Sequence, residues 1–190
     1  MIGICFFDAR AGQMMLGAVE FGAGRMDSAY RHYSTAVAWD PNSAPIRHEL
    51  AVLLSRMGRP REAVEQLEAA ARLDPKQAEF QFKLGLAWNE ADDLTKAAAA
   101  LEQAVRIDSH HARAWYNLGL ARHRLGQPDS AIEALVRAES ISASDPSVPY
   151  ARATILAQLG RIQEARQAAR RAIEIRRDFA PAIDLLDELR

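Results

Sequence analysis

The stretch Arg113-Ala114-Trp115-Tyr116-Asn117-Leu118-Gly119-Leu120, with Ala131, Leu135 and Ala138 behind it, decides the fold because its pattern returns at a fixed distance on either side. Three dipeptides set that distance: Asp40-Pro41, Asp74-Pro75 and, with the proline replaced, Asp108-Ser109, each 34 residues after the last. The same step divides the chain into 10–43, 44–77, 78–111, 112–145 and 146–179 without insertion or deletion, leaving 180–190 over and an apolar segment, 1–9, in front. A period of this size marks an array of supersecondary units that bury their faces against one another.

Small residues fall into columns under this division. Ala29, Ala63, Ala97, Ala131 and Ala165 form one, Ala36, Ala70, Ala104, Ala138 and Ala172 a second, and Gly17, Ala51, Gly85, Gly119 and Ala153 a third. Where two helices cross closely, only a small side chain lets the backbones approach. Large apolar residues fill the columns Leu16, Leu50, Leu84, Leu118; Tyr33, Leu67, Leu101, Leu135; and Trp39, Leu73, Ile107, Ile141, Ile175. Within a unit these recur at helical spacing, so each unit reads as two amphipathic helices, A and B, joined by a tight turn.

The turn residues agree. Gly24, Gly58, Gly126 and Gly160 share the column where helix A ends and a left-handed residue is wanted; Asp92, which tolerates that conformation better than most residues, stands there in the third unit. Pro60 and Pro128 fall at the start of helix B, where a missing N–H costs little. Pro41 and Pro75 stop helix B, and Pro45, Pro149 and Pro181 sit in first turns of A helices.

This pattern resembles the tetratricopeptide repeat, whose signature runs W-x2-L-G-x2-Y, then A-x3-F, then P. Trp115, Leu118, Gly119, Ala131, Leu135 and Ala138 carry the best match, and the resemblance covers residues 10–179. It implies an all-α fold, a right-handed α-solenoid of five stacked helix–turn–helix repeats. Departures gather at the ends: Gln13 where tryptophan is typical, Arg152 in the leucine column, Ala169 in place of a large apolar residue, and Arg176-Arg177 in place of Asp-Pro. Terminal repeats are expected to be atypical because their outer faces meet water. Residues 180–190 read as a capping A helix, with Ile183, Leu186 and Leu189 covering the fifth repeat and Asp184, Asp187 and Glu188 in solvent.

Composition bounds the rest. The 190 residues are 49% hydrophobic and 26% charged, as in a globular protein, and the net charge of −1 favours neither nucleic acid nor a membrane surface. Cys5 is the single cysteine, so no internal disulfide forms. No apolar run reaches the roughly 20 residues of a membrane span, and Met1–Phe7 lacks the basic start of a signal peptide. The expected compartment is the cytoplasm. Three lysines against many arginines, in an alanine-rich chain, suggest a bacterial source.

No catalytic constellation emerges: there is no phosphate loop, H-E-x-x-H, paired-cysteine metal motif or G-x-S-x-G elbow. His110-His111 are adjacent and point in different directions, which suits a polar turn better than a metal site. Cys5 has only Arg10 nearby to activate it. No cofactor, metal or catalytic residue is expected.

The resemblance implies a concave surface lined mainly by A helices, where peptides or partner helices bind. The residues carried to that surface are Met14, His48, Phe82, Tyr116 and Tyr150, and, four further along, Ala18, Val52, Leu86, Leu120 and Thr154. Their polar neighbours are Arg56, Lys83, Asn89, Arg113, Asn117, His123 and Arg124. The form of this fold that grips a C-terminal carboxylate uses two Lys, two Asn and an Arg; the matching positions hold His48, Val52, Lys83, Arg113 and Asn117, of which only Arg113 agrees in type, so a carboxylate clamp is disfavoured. An acidic group near Lys83 and Arg113 stays open. Arg161, Arg166, Arg170, Arg171, Arg176 and Arg177 make the C-terminal end basic; a solvated face balanced by Glu164 and Glu174 is preferred over an anionic partner, and no aromatic residues interleave as a nucleic-acid surface would want. The function expected is a non-catalytic scaffold binding a partner's peptide or helix, with no nucleic acid. A self-assembling scaffold, and the interaction domain of a larger bacterial enzyme or cytochrome, stay open as alternatives.

Overall fold

The computed structural model of the chain describes the backbone of residues 2–189 and the side chains of residues 10–189. The reading of the apolar segment 1–9, with Cys5, rests on side chains outside the described set. Eleven helices and no strand occur among the described residues: α1 (Ile2–Gly22), α2 (Met26–Trp39), α3 (Ala44–Arg56), α4 (Pro60–Leu73), α5 (Ala78–Glu90), α6 (Leu94–Ile107), α7 (Ala112–Arg124), α8 (Pro128–Ile141), α9 (Ser147–Gln158), α10 (Ile162–Ile175) and α11 (Ala180–Glu188). The fold is all-α. Two compact units divide the chain at Lys96 and Ala97. In the first, α1 packs on α2, α2 on α3, α3 on α4 and α4 on α5; in the second, α7 packs on α8, α8 on α9, α9 on α10 and α10 on α11.

The hairpins are built by their small columns. All ten alanines of the two alanine columns are 0% exposed. At Gly17 an added Cβ would lie 2.7 Å from the Tyr33 ring, and at Gly119 it would lie 2.8 Å from Leu135 Cγ and 3.1 Å from the Ala131 carbonyl oxygen. Tyr33, Leu67, Leu101 and Leu135, from the B helices, are buried too. Trp39, Leu73 and Ile107, in the third large column, are instead exposed: they occupy the last helical position of their B helices, past the crossing.

Each A helix of the five hairpins ends in the same way. Gly24, Gly58, Gly126 and Gly160 have φ between 71° and 75°, and Asp92 has φ 63°. The next amide reaches back five residues, Arg25 to Glu20, Arg59 to Leu54, Asp93 to Trp88, Gln127 to Arg122 and Arg161 to Leu156, each at 2.9 Å. This is the Schellman closure that satisfies carbonyls left open at a helix end. Between hairpins, carboxylates hold the turns: Asp74 accepts from the Lys76 amide and Asp108 from the His110 amide.

At the junction of α8 and α9 two columns depart together. Arg152 replaces the column leucine, and Glu139 stands where Val37, Ala71, Val105 and Ile173 stand elsewhere. Arg152 Nη2 donates to Glu139 Oε2 at 2.8 Å, with side chains 23% and 17% exposed, and Arg171 Nε lies 3.7 Å from Glu139 Oε1. An apolar contact has been exchanged for an ion pair. The Nε of Arg152 remains buried without a hydrogen-bond partner.

The capping helix differs from expectation in its register. Ile183 is 38% exposed. Leu185, Leu186 and Leu189 pack on the cluster of Leu156, Ala169, Ala172 and Phe179, with Ala182 at its centre. The nine-residue helix turns the 182, 185, 186, 189 face inward, so Ile183 is not part of the cover.

Two predictions follow from these contacts. Gly119→Ala should destabilise the protein, because overpacking costs about 1–3 kcal/mol against the ~1 kcal/mol that alanine gains over glycine within a helix. Gly12→Ala, with nothing within 4 Å of the added Cβ, should gain up to about 1 kcal/mol; urea midpoints of the two variants compare them. In a double-mutant cycle, Arg152→Leu and Glu139→Val should each lose about 1–3 kcal/mol, since each strands a half-buried charge. The double variant should recover to near the parent. Additive losses in the cycle would show that the two residues do not act as a pair.

Candidate functional site

In the first unit, α3 and α5 are the two A helices that run side by side. Their facing side chains open a cavity of about 170 Å³ lined by Val52, Ser55, Arg56, Lys83, Leu86 and Glu90 over a floor of Ala51 and Leu67. Val52, Lys83 and Leu86 are thus brought together, with Arg56 beside them. Ala51 belongs to the small column and is fully buried. Val52 and Leu86 are half-buried.

The cations here are treated differently. Lys83 Nζ lies 3.4 Å from Glu79 Oε1, one turn back on α5, and 5.7 Å from the centroid of the Phe82 ring. Arg56 is exposed and makes no hydrogen bond or ion pair among the described residues. Its place in the last turn of α3 is favourable for a cation. Nearby, a hydrogen bond with the His48 ring holds the Glu49 carboxyl below the ordinary carboxylate range, against the opposing effect of burial, and the positive charges of His48 and Lys83 add to it.

The remaining residues carried over by resemblance are placed less simply. Phe82 is 0% exposed. It is a core residue, a correction to its expected place on the open surface: the ring turns inward and leaves Lys83 and Leu86 to face the opening. His48 is mostly buried, its ring 5.3 Å from that of Phe80 and its Nε2 without a partner. Asn89 is exposed at the end of α5.

In the second unit, Arg113 and Arg124 are exposed, and Asn117 donates from Nδ2 to the Arg113 carbonyl at 2.8 Å. Leu120 is half-buried. Tyr116 packs against the cluster of Ala131, Leu135, Val148 and Ile155; burial, and then the charge of Asp145, push its hydroxyl pKa up. Tyr150 meets Phe179 edge-to-face at 5.5 Å. Both tyrosines therefore hold hairpins together while showing one edge.

The C-terminal arginines are largely engaged. Arg161 pairs with Glu164 and Asp129, Arg171 with Glu139 and Glu174, Arg166 donates to the Leu189 carbonyl, and Arg176 lies over the Phe179 ring. His111 caps α7, its Nδ1 accepting from the Ala114 amide at 3.2 Å, while His110 is exposed. Among the described residues no three His, Cys, Asp or Glu side chains converge on a metal-sized space, and no helix is long and apolar enough to cross a membrane.

The cavity sequence reasoning did not anticipate lies in the second unit, where Trp115 and Ile141 meet Arg137 and His110. In the sequence Trp115 stands out only as a signature residue, and its single occurrence in that column, among Gln13, Arg47, Gln81 and Pro149, is the available signal.

The architecture defines a class, the helix-hairpin repeat protein. The tetratricopeptide repeat family matches residues 48–111, 91–149 and 150–179, and the chain belongs to that family. No curated protein matches it in sequence. Among solved structures it is similar to the MamA protein, at 28% identity and a TM-score of 0.85 over 91% of this chain and 94% of that one. It is similar in fold to pilF of Pseudomonas aeruginosa, at 24% identity and a TM-score of 0.80 over 97% and 84%. A third fold likeness is YrrB, described as a tetratricopeptide repeat protein with an unusual peptide-binding site, at 17% identity and a TM-score of 0.78 over 90% and 89%.

Proposed function

We propose that the chain is a protein-interaction scaffold without catalysis of its own, and that the opening between α3 and α5 receives side chains from a partner's peptide or helix. The observation that carries this reading is the cavity lined by Val52 and Leu86 with Arg56 and Lys83 at its edge. Its volume of about 170 Å³ is below the roughly 300–1,000 Å³ of a small-molecule pocket, which favours one or two side chains of a longer ligand. Area on Val52 and Leu86 supplies affinity, about 1.5–3 kcal/mol for one buried aliphatic group. Arg56 and Lys83 fix the register of the ligand by donating to its carbonyls or carboxylates. Family membership supports the same reading, because stacked helical hairpins present extended binding surfaces.

The test is a capture from lysate of the source organism, followed by titration of the captured partner. Leu86→Gln and Arg56→Glu are compared with the parent, with helicity checked by circular dichroism. Each variant should weaken the partner by about tenfold or more. Arg56 is exposed, so its replacement separates lost binding from lost folding. A partner held equally by the parent and both folded variants would remove this opening from the function.

A further inference from the structure

The second unit carries a cleft of its own, at the edge where the turn before α7 meets the end of α8. It is about 630 Å³, lined by Ser109, His110, Trp115, Arg137, Ser140 and Ile141. Arg137, Ser140 and Ile141 lie on one face of α8, three and four residues apart. Ser109 and His110 come from the turn, and Trp115 from the first turn of α7.

The indole packs in part on the core of its hairpin and keeps an edge in the cleft. Trp115 Nε1 donates to the Ser109 carbonyl at 2.9 Å. Two repeats earlier, at the same column positions, Arg47 Nε donates to the Pro41 carbonyl at 2.8 Å. In these two repeats a side-chain N–H closes the turn, supplied once by arginine and once by tryptophan. The flat aromatic surface beside Ile141 is surplus to that bond.

Arg137 brings a positive charge to the cleft. The Arg137 guanidinium makes no hydrogen bond or ion pair among the described residues. The His110 ring has only the Ser109 hydroxyl, 3.4 Å from Nδ1. No carboxylate lines the cleft. Asp108, the acid nearest in sequence, is turned to the His110 backbone amide at 2.9 Å. The first turn of α7 also has no acidic residue, so the partial positive charge of that helix end is not offset from within its own turn. An aromatic–aliphatic floor beside an unengaged guanidinium fits a carboxylate that adjoins an apolar side chain.

We infer that this cleft, where the Trp115 ring and Ile141 adjoin the guanidinium of Arg137, is a second docking site that takes an acidic–aliphatic peptide segment of a partner protein. The carboxylate accepts from Arg137 and the neighbouring aliphatic side chain rests on the indole. The site shares no residue with the α3–α5 opening.

Titration of the full 15N-labelled chain with the probe peptide acetyl-GELELG-amide tests this. The Trp115 indole signal, assigned by its loss in Trp115→Phe, should move with saturation. Arg137→Gln and, independently, the probe with both Glu changed to Gln should each weaken binding about tenfold, the scale of a lost charge-assisted hydrogen bond. Arg72→Gln, an exposed position of the first unit that lines neither opening, should leave the titration unchanged. The proposal is overturned if the Trp115 signal is still at saturating probe, or if either charge removal changes affinity less than twofold. It is equally overturned if an eight-residue oligothymidylate moves the same signals at lower concentration than the peptide, which would make the cleft a nucleic-acid contact.

Discussion

Everything in this protein depends on how closely an A helix can approach its B helix. The alanine columns have no exposed surface at all, and at Gly17 and Gly119 there is no room even for a Cβ. That approach fixes the other features in turn. Helices this close need a short connection, and the left-handed residue with its back-reaching amide supplies one in all five hairpins. Large residues such as Tyr33 and Leu135 then fill the space beside the crossing. The side chains that neither cross nor fill are released to the surface, and there the repeats differ from one another.

This division explains what the sequence revealed. The crossing columns, the glycine and Asp92 turns and the prolines at helix starts were legible because each residue is dictated by a local requirement that recurs five times. Surface placement was less legible because it depends on rotation of each helix about its axis. Phe82 stands in the same column as Tyr116 and Tyr150, yet it is fully buried while those tyrosines keep an edge in solvent. A phenyl ring has no polar tip to bring to water, whereas a tyrosine does. The short α11 turned by about one position, exposing Ile183 and burying Leu185, for a related reason: no B helix of its own constrains which face it presents.

The pairing of Arg152 with Glu139 is a different case. Each position, taken alone, breaks its column, and the leucine-to-arginine change was legible as a departure at the end of the array. Only the geometry shows that the two departures answer one another across the α8–α9 contact. A half-buried ion pair need not be more stable than the leucine and valine it replaces. What it adds is directional: an arginine and a carboxylate must meet in register, whereas two aliphatic groups tolerate sliding. At this junction charge, and not shape alone, aligns neighbouring hairpins.

The same separation of requirement from surplus bears on function. At the turn before an A helix, Arg47 and Trp115 make the same hydrogen bond to the same backbone position, so two different side chains meet one local need and differ in what they leave over. In the second repeat the remainder is a guanidinium that also reaches Gln66; in the fourth it is an indole face bordering a cleft. Val52 and Leu86 stand in a comparable position, above the small column but outside the crossing. Binding chemistry can thus vary repeat by repeat without disturbing the alanine contacts that hold the array. The repeat pattern alone therefore identifies the fold and leaves the partner to be read from individual side chains.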